Sequence, residues 1–461
     1  MLTPESIQEQ LKFIISIPPY EHEKDAEGSY IDIAQQNAEV FTSKILQTPD
    51  DIMENLSILL TGEQRQVRIL GRIFAENISN VTDYIENGLS ILTTIEYPNP
   101  ELIVAMMDIL KKKDKNTWDI FIRQVIQDEK LVKFLPRFLQ SSKPSVDELQ
   151  LVIDQIKKHH LDITVLRHFG SGMSLHHLSL KDIEHLVSEL LNLKEEGAWI
   201  ALDILSMYTH SSKEKFIYLV EVVKQVILAI EFETTNNQVM DFYYLEQAIK
   251  QIDTLETDQK FITTLSGNIF LQAFSRDIES RGSIKKVVHY LIKKHGDIVW
   301  PILFQHIEKL TPIQEFRMEQ MIGHSSNTDN NFALVNDIPD NKVIELCKQS
   351  KKAARTLAKS IKVITEVESE WKFTSIAMKM IDEFGSEEMV LSAISSNLYS
   401  FSWVGSAVPY YLRQKSAFTN LLSHTNKNIR DWAQNELAYL EKRIKSEQQS
   451  DEEHDFGIYD R

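Results

Sequence analysis

The chain of 461 residues contains one cysteine, Cys347. A single thiol excludes an intrachain disulfide and any zinc or iron–sulfur site built from clustered cysteines. Glycine (14) and proline (12) are also scarce, each at about 3% against common usage of about 7% and 5%. So few helix breakers over such a length favour long helices joined by short turns. Apolar runs are short as well. The best of them, Leu219 to Phe232, is interrupted by Glu221, Lys224 and Glu231, whereas a membrane-spanning helix needs about 20 apolar residues. The first residues, MLTPESIQEQLKFIISIPP, carry no basic stretch ahead of the apolar ones, and Pro18-Pro19 is not a small-residue cleavage site. The expectation is a soluble, cytoplasmic protein with no membrane partner.

Positive charge is the remaining shortage. Lys and Arg number 50 against 67 Asp and Glu, a net charge of −17. This argues against general coating of nucleic acid, which needs a basic excess, but it leaves room for a local basic face.

What is present is helical pattern. Hydrophobic residues make up 43% and charged residues 25%, the proportions of a folded chain. Period-two alternation bounded by turn residues is nearly absent, so an all-α fold is expected. Tyr20 to Ser29 reads as a charged loop, followed by a helix from about Tyr30. Apolar spacing predicts helix pairs such as Pro100–Lys111 with Trp118–Gln127 and Leu180–Leu193 with Ala198–Tyr208. A further pair is Ser283–Lys294 with Ile298–Lys309. Two irregular stretches, His168–Ser174 and Gly323–Asn331, divide the series. The expected organisation is three helical blocks, 1–168, 169–322 and 332–446, or a single solenoid with two kinks, followed by an acidic, disordered tail at 447–461.

One stretch recurs. LLTGEQRQVRILG (59–71) aligns without a gap on LLSHTNKNIRDWA (421–433). The shared form is a double Leu, six residues, Val or Ile, Arg, any residue, a large apolar residue and a small one. A looser copy, LLNLKEEGAWIAL (190–202), has Ala198 and Trp199 in place of the branched residue and Arg. In each copy the double Leu closes one helix, the six residues turn, and the branched residue opens the buried face of the next. The small residue is expected to let the two helices of the pair approach. No such pair buries its apolar face alone, so stacked neighbours are implied.

These residues resemble HEAT or armadillo-type repeats, in which a branched residue followed by Arg opens the second helix of each pair. The resemblance is specific at 59–71 and 417–444. It implies an α-solenoid that binds partners along its concave surface. The last part also resembles the helical C-terminal regions of bacterial phage-defence and conflict proteins. That likeness rests on Trp403, Gly405-Ser406, Leu421-Leu422, His424, Ile429-Arg430, Trp432-Ala433 and the acidic end after Lys445. It implies an antiviral defence context and no particular activity.

Ready-made catalytic motifs are missing: there is no GxxxxGK[ST], no HExxH and no GxSxG. Gly170-Ser171-Gly172 reads as a loop. Six histidines fall between His159 and His185 (His159, His160, His168, His176, His177 and His185). Adjacent ones point in different directions on a helix, so no metal and no cofactor is expected. Arg317 and His324 are spaced like the Arg–His motif of HEPN-type ribonucleases. Met318 departs from the polar residue usual after that Arg, and Gly323 is expected to end the helix before His324. Pro339-Asp340 with Glu370-Trp371-Lys372 mimics a metal-dependent nuclease pattern, but that chemistry sets its carboxylates on strands, and the surroundings read as helix.

Two surface features remain. On a helix expected near Val343–Ile364, Lys348, Lys352, Arg355, Lys359 and Lys362 recur at alternating spacings of four and three, with Lys351 beside them. Ala354, Leu357, Ala358 and Ile361 form the opposing buried face. Such a stripe suits phosphate backbones, an acidic partner or the chain's own acidic end. Aromatic residues (Tyr399, Phe401, Trp403, Tyr410 and Tyr411) gather around a bend at Gly405-Ser406, and aromatic anchors dominate many interfaces. The reading is a non-enzymatic helical-repeat scaffold that holds a protein partner through the stripe and Trp403, Tyr410 and Tyr411. The alternatives are a nucleic-acid-contacting subunit of a defence complex, and a HEPN-like ribonuclease using Arg317 and His324.

Overall fold

A computed structural model describes residues 6–16, 22–46, 48, 50–171, 173–193, 196–234, 238–255, 257–275, 281–323, 335, 338–401 and 403–455. It is predominantly α-helical, as the scarcity of glycine and proline implies. Packing divides the chain into two units, Met1–Ile230 and Glu231–Arg461.

The first unit opens with α1 (Ile7–Ser16), the hairpin β1 (His22–Lys24) and β2 (Tyr30–Asp32), and α2 (Ile33–Ile45). Then follow α3 (Asp50–Leu59), α4 (Val67–Asn77), α5 (Val81–Leu92), α6 (Glu101–Lys113) and α7 (Lys115–Gln127). The unit closes with α8 (Leu135–Ser141), α9 (Val146–Lys157), α10 (Leu180–Leu191), α11 (Gly197–Thr209) and α12 (Lys213–Ala229). The second unit begins with α13 (Gln238–Leu255), α14 (Gln259–Ser275), α15 (Arg281–Ile307), α16 (Pro312–Ile322), α17 (Asp340–Lys348) and α18 (Lys351–Ala358). A hairpin of β3 (Ile364–Val367) and β4 (Glu370–Phe373) leads to α19 (Ser375–Phe384), α20 (Glu388–Tyr399), α21 (Val408–Thr419) and α22 (Lys427–Asp455).

Local chemistry sets many boundaries. Ser145 and Ser179 form capping boxes with Glu148 and Asp182 at the starts of α9 and α10, which satisfies amides that the helix cannot. Each helix also buries an apolar face. In α4 that face is Val67, Leu70, Ile73 and Phe74; in α11 it widens to include Trp199, Ile200, Leu202 and Tyr208. Helices pack on the next in sequence and, repeatedly, on the next but one. In the first unit α1 lies on α3, α2 on α4, α3 on α5, α4 on α6 and α6 on α8. In the second, α13 lies on α15, α14 on α16, α16 on α18, α17 on α19 and α18 on α20. Among the described residues no helix is long and apolar enough to cross a membrane.

The recurring motif joins α3 to α4 at 59–71; at 421–433 its double Leu lies in a 3-10 turn, Asn420–Ser423, ahead of α22, and the turn of the third copy includes residues 194–195, outside the described residues. The motif's small residue acts differently from expectation. A Cβ on Gly71 would sit 2.9 Å from the Leu102 carbonyl and 3.1 Å from Ala105, so the close approach joins α4 to α6 rather than to α3. The two arginines diverge too. Arg68 reaches Glu101 at 3.4 Å, whereas Arg430 donates to the carbonyls of His424 (2.6 Å) and Thr425 (2.8 Å) in its own turn.

Four sequence expectations need correction. Two antiparallel hairpins stand where a loop and helices were expected. The helix expected from Val343 to Ile364 is two helices, because Ser350 caps Ala353 and starts α18 afresh. His168, Phe169 and Gly170 belong to a 3-10 helix, Ile163–Gly170, with Phe169 buried. The acidic end is helical through Asp455, since α22 carries on from a face anchored by Ile429, Ala433 and Leu440. Its remainder, 456–461, lies outside the described residues, as do 324–331 of the second irregular stretch. The expected break near residue 296 is real: α15 kinks at His295, whose φ/ψ is −127/31.

Gly197 tests the tightness of this packing. A Cβ there would lie 2.1 Å from the Leu190 carbonyl, so α11 starts against the end of α10 only because the side chain is a hydrogen. Gly197→Ala is expected to lower stability by about 1–3 kcal/mol, measured by urea denaturation.

Candidate functional site

The basic stripe is largely engaged by the protein's own carboxylates. Lys348 pairs with Glu383 at 3.0 Å and Lys351 with Glu387 at 2.9 Å. Arg355 donates to Glu315 Oε2 at 2.7 Å, and the Lys352 ammonium lies 3.2 Å from the other oxygen. Lys359 meets Glu319 at 3.2 Å. Glu315 and Glu319 are four apart on α16, and the cations facing them project from α18 and its C-cap, so the pairs form a seam between two helices. Lys352 also donates to the Leu310 carbonyl at 2.6 Å. Burial holds the Glu319 carboxyl above its ordinary value, with Lys359 opposing the shift. Lys362 has no ion-pair partner among the described residues. The expected buried face is present, with Ala354, Leu357, Ala358 and Ile361 all at most 1% exposed. A cavity of about 510 Å³ opens beside the seam, lined in part by Leu310, Pro312, Glu315, Lys352, Arg355 and Met389.

The aromatic residues make a surface of a different kind. Gly405, at φ +80, turns the chain between α20 and α21, a conformation that side chains other than hydrogen disfavour. The turn lifts Val404, 99% exposed, and Trp403, 41% exposed. Beneath them Trp403 meets Phe401 at 5.2 Å, and Phe401 stacks on Tyr410 at 5.3 Å. The row continues with Arg413, whose guanidinium carbon lies 4.9 Å from the Tyr410 ring and 4.8 Å from the Trp371 ring. Planar groups therefore run without interruption from the turn, across α21, to strand β4. Arg413 was not singled out in the sequence, because its flanking rings lie 3 and 42 residues away. Tyr411 belongs under this surface: it is 3% exposed, and its hydroxyl accepts from Arg443 at 2.9 Å.

Three contacts fix the turn in place. Ser406 Oγ donates to Asp451 at 2.5 Å, the Ala407 amide donates to Glu447 at 3.3 Å, and the Val408 amide donates to Ser406 Oγ at 3.2 Å. Carboxylates from α22 thus sit at the N-terminus of α21, where the helix dipole favours negative charge. Earlier on α22, Trp432 donates to Ser395 at 3.0 Å, Ser395 donates to Glu436 at 2.5 Å, and the Tyr399 hydroxyl also donates to Glu436. Burial, then Glu436, pushes the Tyr399 hydroxyl well above its ordinary value. Trp432 packs on Phe418 at 5.0 Å, a structural role.

The other candidates are dispersed. His160 bonds Gln155 at 3.0 Å, His176 the Met207 carbonyl at 3.0 Å, and His177 the Pro144 carbonyl at 2.8 Å. Each braces a different piece of chain, and no metal-ligating cluster occurs among the described residues. Asp340 meets Lys379 at 3.4 Å and Ser375 at 2.5 Å. Glu370 does lie on a strand, contrary to the helical expectation, but it pairs with Lys372 at 2.9 Å. Arg317 lies on α16, and His324 is outside the described residues. Cys347 is buried, and its thiol is pushed up to about 12 by burial.

One polar group went unnoticed in the sequence. Asp253 Oδ2 accepts from Tyr290 at 2.7 Å and lies 2.7 Å from His295 Nε2. The Asp253 and His295 side chains are only 4% and 5% exposed. Asp253 on α13 thereby braces α15 at its kink. Neither a protein-family model nor a curated protein matches this chain.

Substitutions in the seam and in the β3–β4 turn check this geometry. Glu315→Ala leaves Lys352 and Arg355 facing each other without their carboxylate. Their partial exposure limits the expected loss to about 2 kcal/mol, and Glu315→Leu combined with Arg355→Met should recover much of it in urea denaturation. In the turn between β3 and β4, Glu368 and Ser369 both have positive φ, 52 and 67. Ser369→Gly should therefore raise stability by about 1 kcal/mol, seen as a higher melting temperature.

Proposed function

We propose that this chain is a non-enzymatic helical scaffold or adaptor that holds a partner protein on the Trp403–Val404 surface of its second unit. The observation that carries this reading is an apolar tip, Trp403 and Val404, exposed on a turn that Gly405, Asp451 and Glu447 hold in place. Exposed aromatic anchors on preorganised backbone bind with little ordering cost. The helix-on-next-but-one packing within each unit supports a stacked-repeat architecture of HEAT type, because stacked helix pairs cover one another's apolar faces. The likeness of Trp403, Gly405-Ser406 and Ile429-Arg430 to phage-defence proteins supports a bacterial defence complex as the setting, and a cytoplasmic one. Nucleic-acid contact through Lys348–Lys362 has less support, since Lys348, Lys352, Arg355 and Lys359 are each paired with a carboxylate.

The test places a photo-crosslinking amino acid at position 404 in cells and identifies the product by mass spectrometry. A single protein partner, recovered in stoichiometric amount from the unmodified chain, is the expected result. Val404→Asp and Trp403→Ala should weaken its capture by about 30-fold or more, with helicity and melting temperature unchanged. Capture that persists in both variants, or that disappears on nuclease treatment, would overturn the reading.

A further inference from the structure

We infer that Arg413 reads a carboxylate on the partner, so that the surface selects a segment carrying an acidic group close to an apolar residue. This rests on the protein-binding role of the Trp403–Val404 surface and adds the chemistry of what is bound there. A guanidinium has five N–H donors. None of those of Arg413 meets an acceptor among the described residues, and Arg413 forms no ion pair there. Its neighbours are occupied: Lys415 by Glu441 at 3.0 Å, Lys372 by Glu370 at 2.9 Å, and Arg443 by the Tyr411 hydroxyl at 2.9 Å. The Tyr410 and Trp371 rings restrict the Arg413 side chain, but ring faces leave its hydrogen-bonding donors unmet. A restrained guanidinium loses less freedom on binding, and its fork matches a carboxylate in two parallel bonds.

The same fork also matches phosphate, and charge decides between them. The chain has a net charge of −17, and the neighbouring lysines Lys372 and Lys415 are already bound to Glu370 and Glu441. A polyanionic strand would be repelled along its length, whereas one carboxylate brings one charge to Arg413, which has no carboxylate partner among the described residues. Spacing adds a second constraint. The ring-to-ring steps from Trp403 through Phe401 and Tyr410 to Arg413 put the tip and the guanidinium no more than about 15 Å apart, the reach of about five extended residues. The expected ligand is a peptide with Asp, Glu or a terminal carboxylate within about five residues of a large apolar side chain.

The experiment selects peptides from a displayed random 12-residue library on the full chain and on Arg413→Met, Arg413→Lys and Val404→Asp variants. Melting temperature and helicity confirm that each variant is folded. The wild-type chain should enrich peptides that pair an acid with an apolar residue at this spacing. Arg413→Met should retain the apolar preference and lose the acidic one, with Arg413→Lys between the two, and Val404→Asp should select nothing. In fluorescence anisotropy with one synthetic selected peptide, Asp→Asn or Glu→Gln in the peptide should weaken wild-type binding by roughly 10- to 100-fold. The same change should leave binding to Arg413→Met unaltered. Peptides selected without acid enrichment, or an acid preference that survives Arg413→Met, would overturn the inference while leaving the surface reading intact. A wild-type chain that selects no peptide would overturn both. A single-stranded oligonucleotide bound in an Arg413-dependent manner would assign the residue to phosphate instead.

Discussion

A helix with one apolar face has to be covered from more than one side, and this chain meets that requirement with the helix after next. The contacts of α2 with α4, α4 with α6, α16 with α18 and α18 with α20 all follow this rule. Close approach is its condition. Gly71 permits it where α4 meets the backbone of α6; a separate close approach occurs at the end of α19, where a Cβ on Gly385 would fall 2.5 Å from Ile429 at the start of α22. The polar chemistry is secondary to this packing. The Glu315 seam exists because α16 and α18 already lie together, and its buried carboxylate then needs cations from the facing helix.

The sequence carried the helices well because their signals are local. Apolar spacing and capping residues sit within a few positions of what they determine, and even the break near His295 shows as an interruption of the periodicity. The β3–β4 hairpin was missed because Glu368-Ser369 supplies its tight turn without Gly or Asn, the usual marker. Strand residues Glu366, Trp371 and Lys372 then looked like a continuation of the lysine-rich helix before them. The end of α22 was misread because acid-rich composition is shared by disordered tails and by helices whose carboxylates meet a partner. Only tertiary structure brings Glu447 and Asp451 to the amide end of α21.

The candidate site was legible in outline and not in mechanism. The cluster at Tyr399–Tyr411 and the bend at Gly405 are local and were visible. Which of these residues face outward is a packing outcome: Trp403 and its aliphatic neighbour Val404 do, and Tyr411 does not. The stripe shows the converse. Its cations recur at helical spacing but fall on two helices and the residues after them, and the carboxylates that engage them lie about 35 to 40 residues away on α16, on α19 and at the N-cap of α20, beyond any local pattern. Arg413 is the extreme case, because its setting depends on a strand that the sequence did not announce.

The contacts of Glu447 with the Ala407 amide and of Asp451 with the Ser406 hydroxyl set an order of events during synthesis. Residues 399–413 leave the ribosome well before α22 does, and until residue 451 follows, the turn beneath Trp403 and Val404 lacks two of its three fastenings. A nascent chain halted short of that point would carry every aromatic residue of the surface without holding them in register. The shape of the turn is thus set from outside its own stretch of chain, by residues 40 and 45 positions further along.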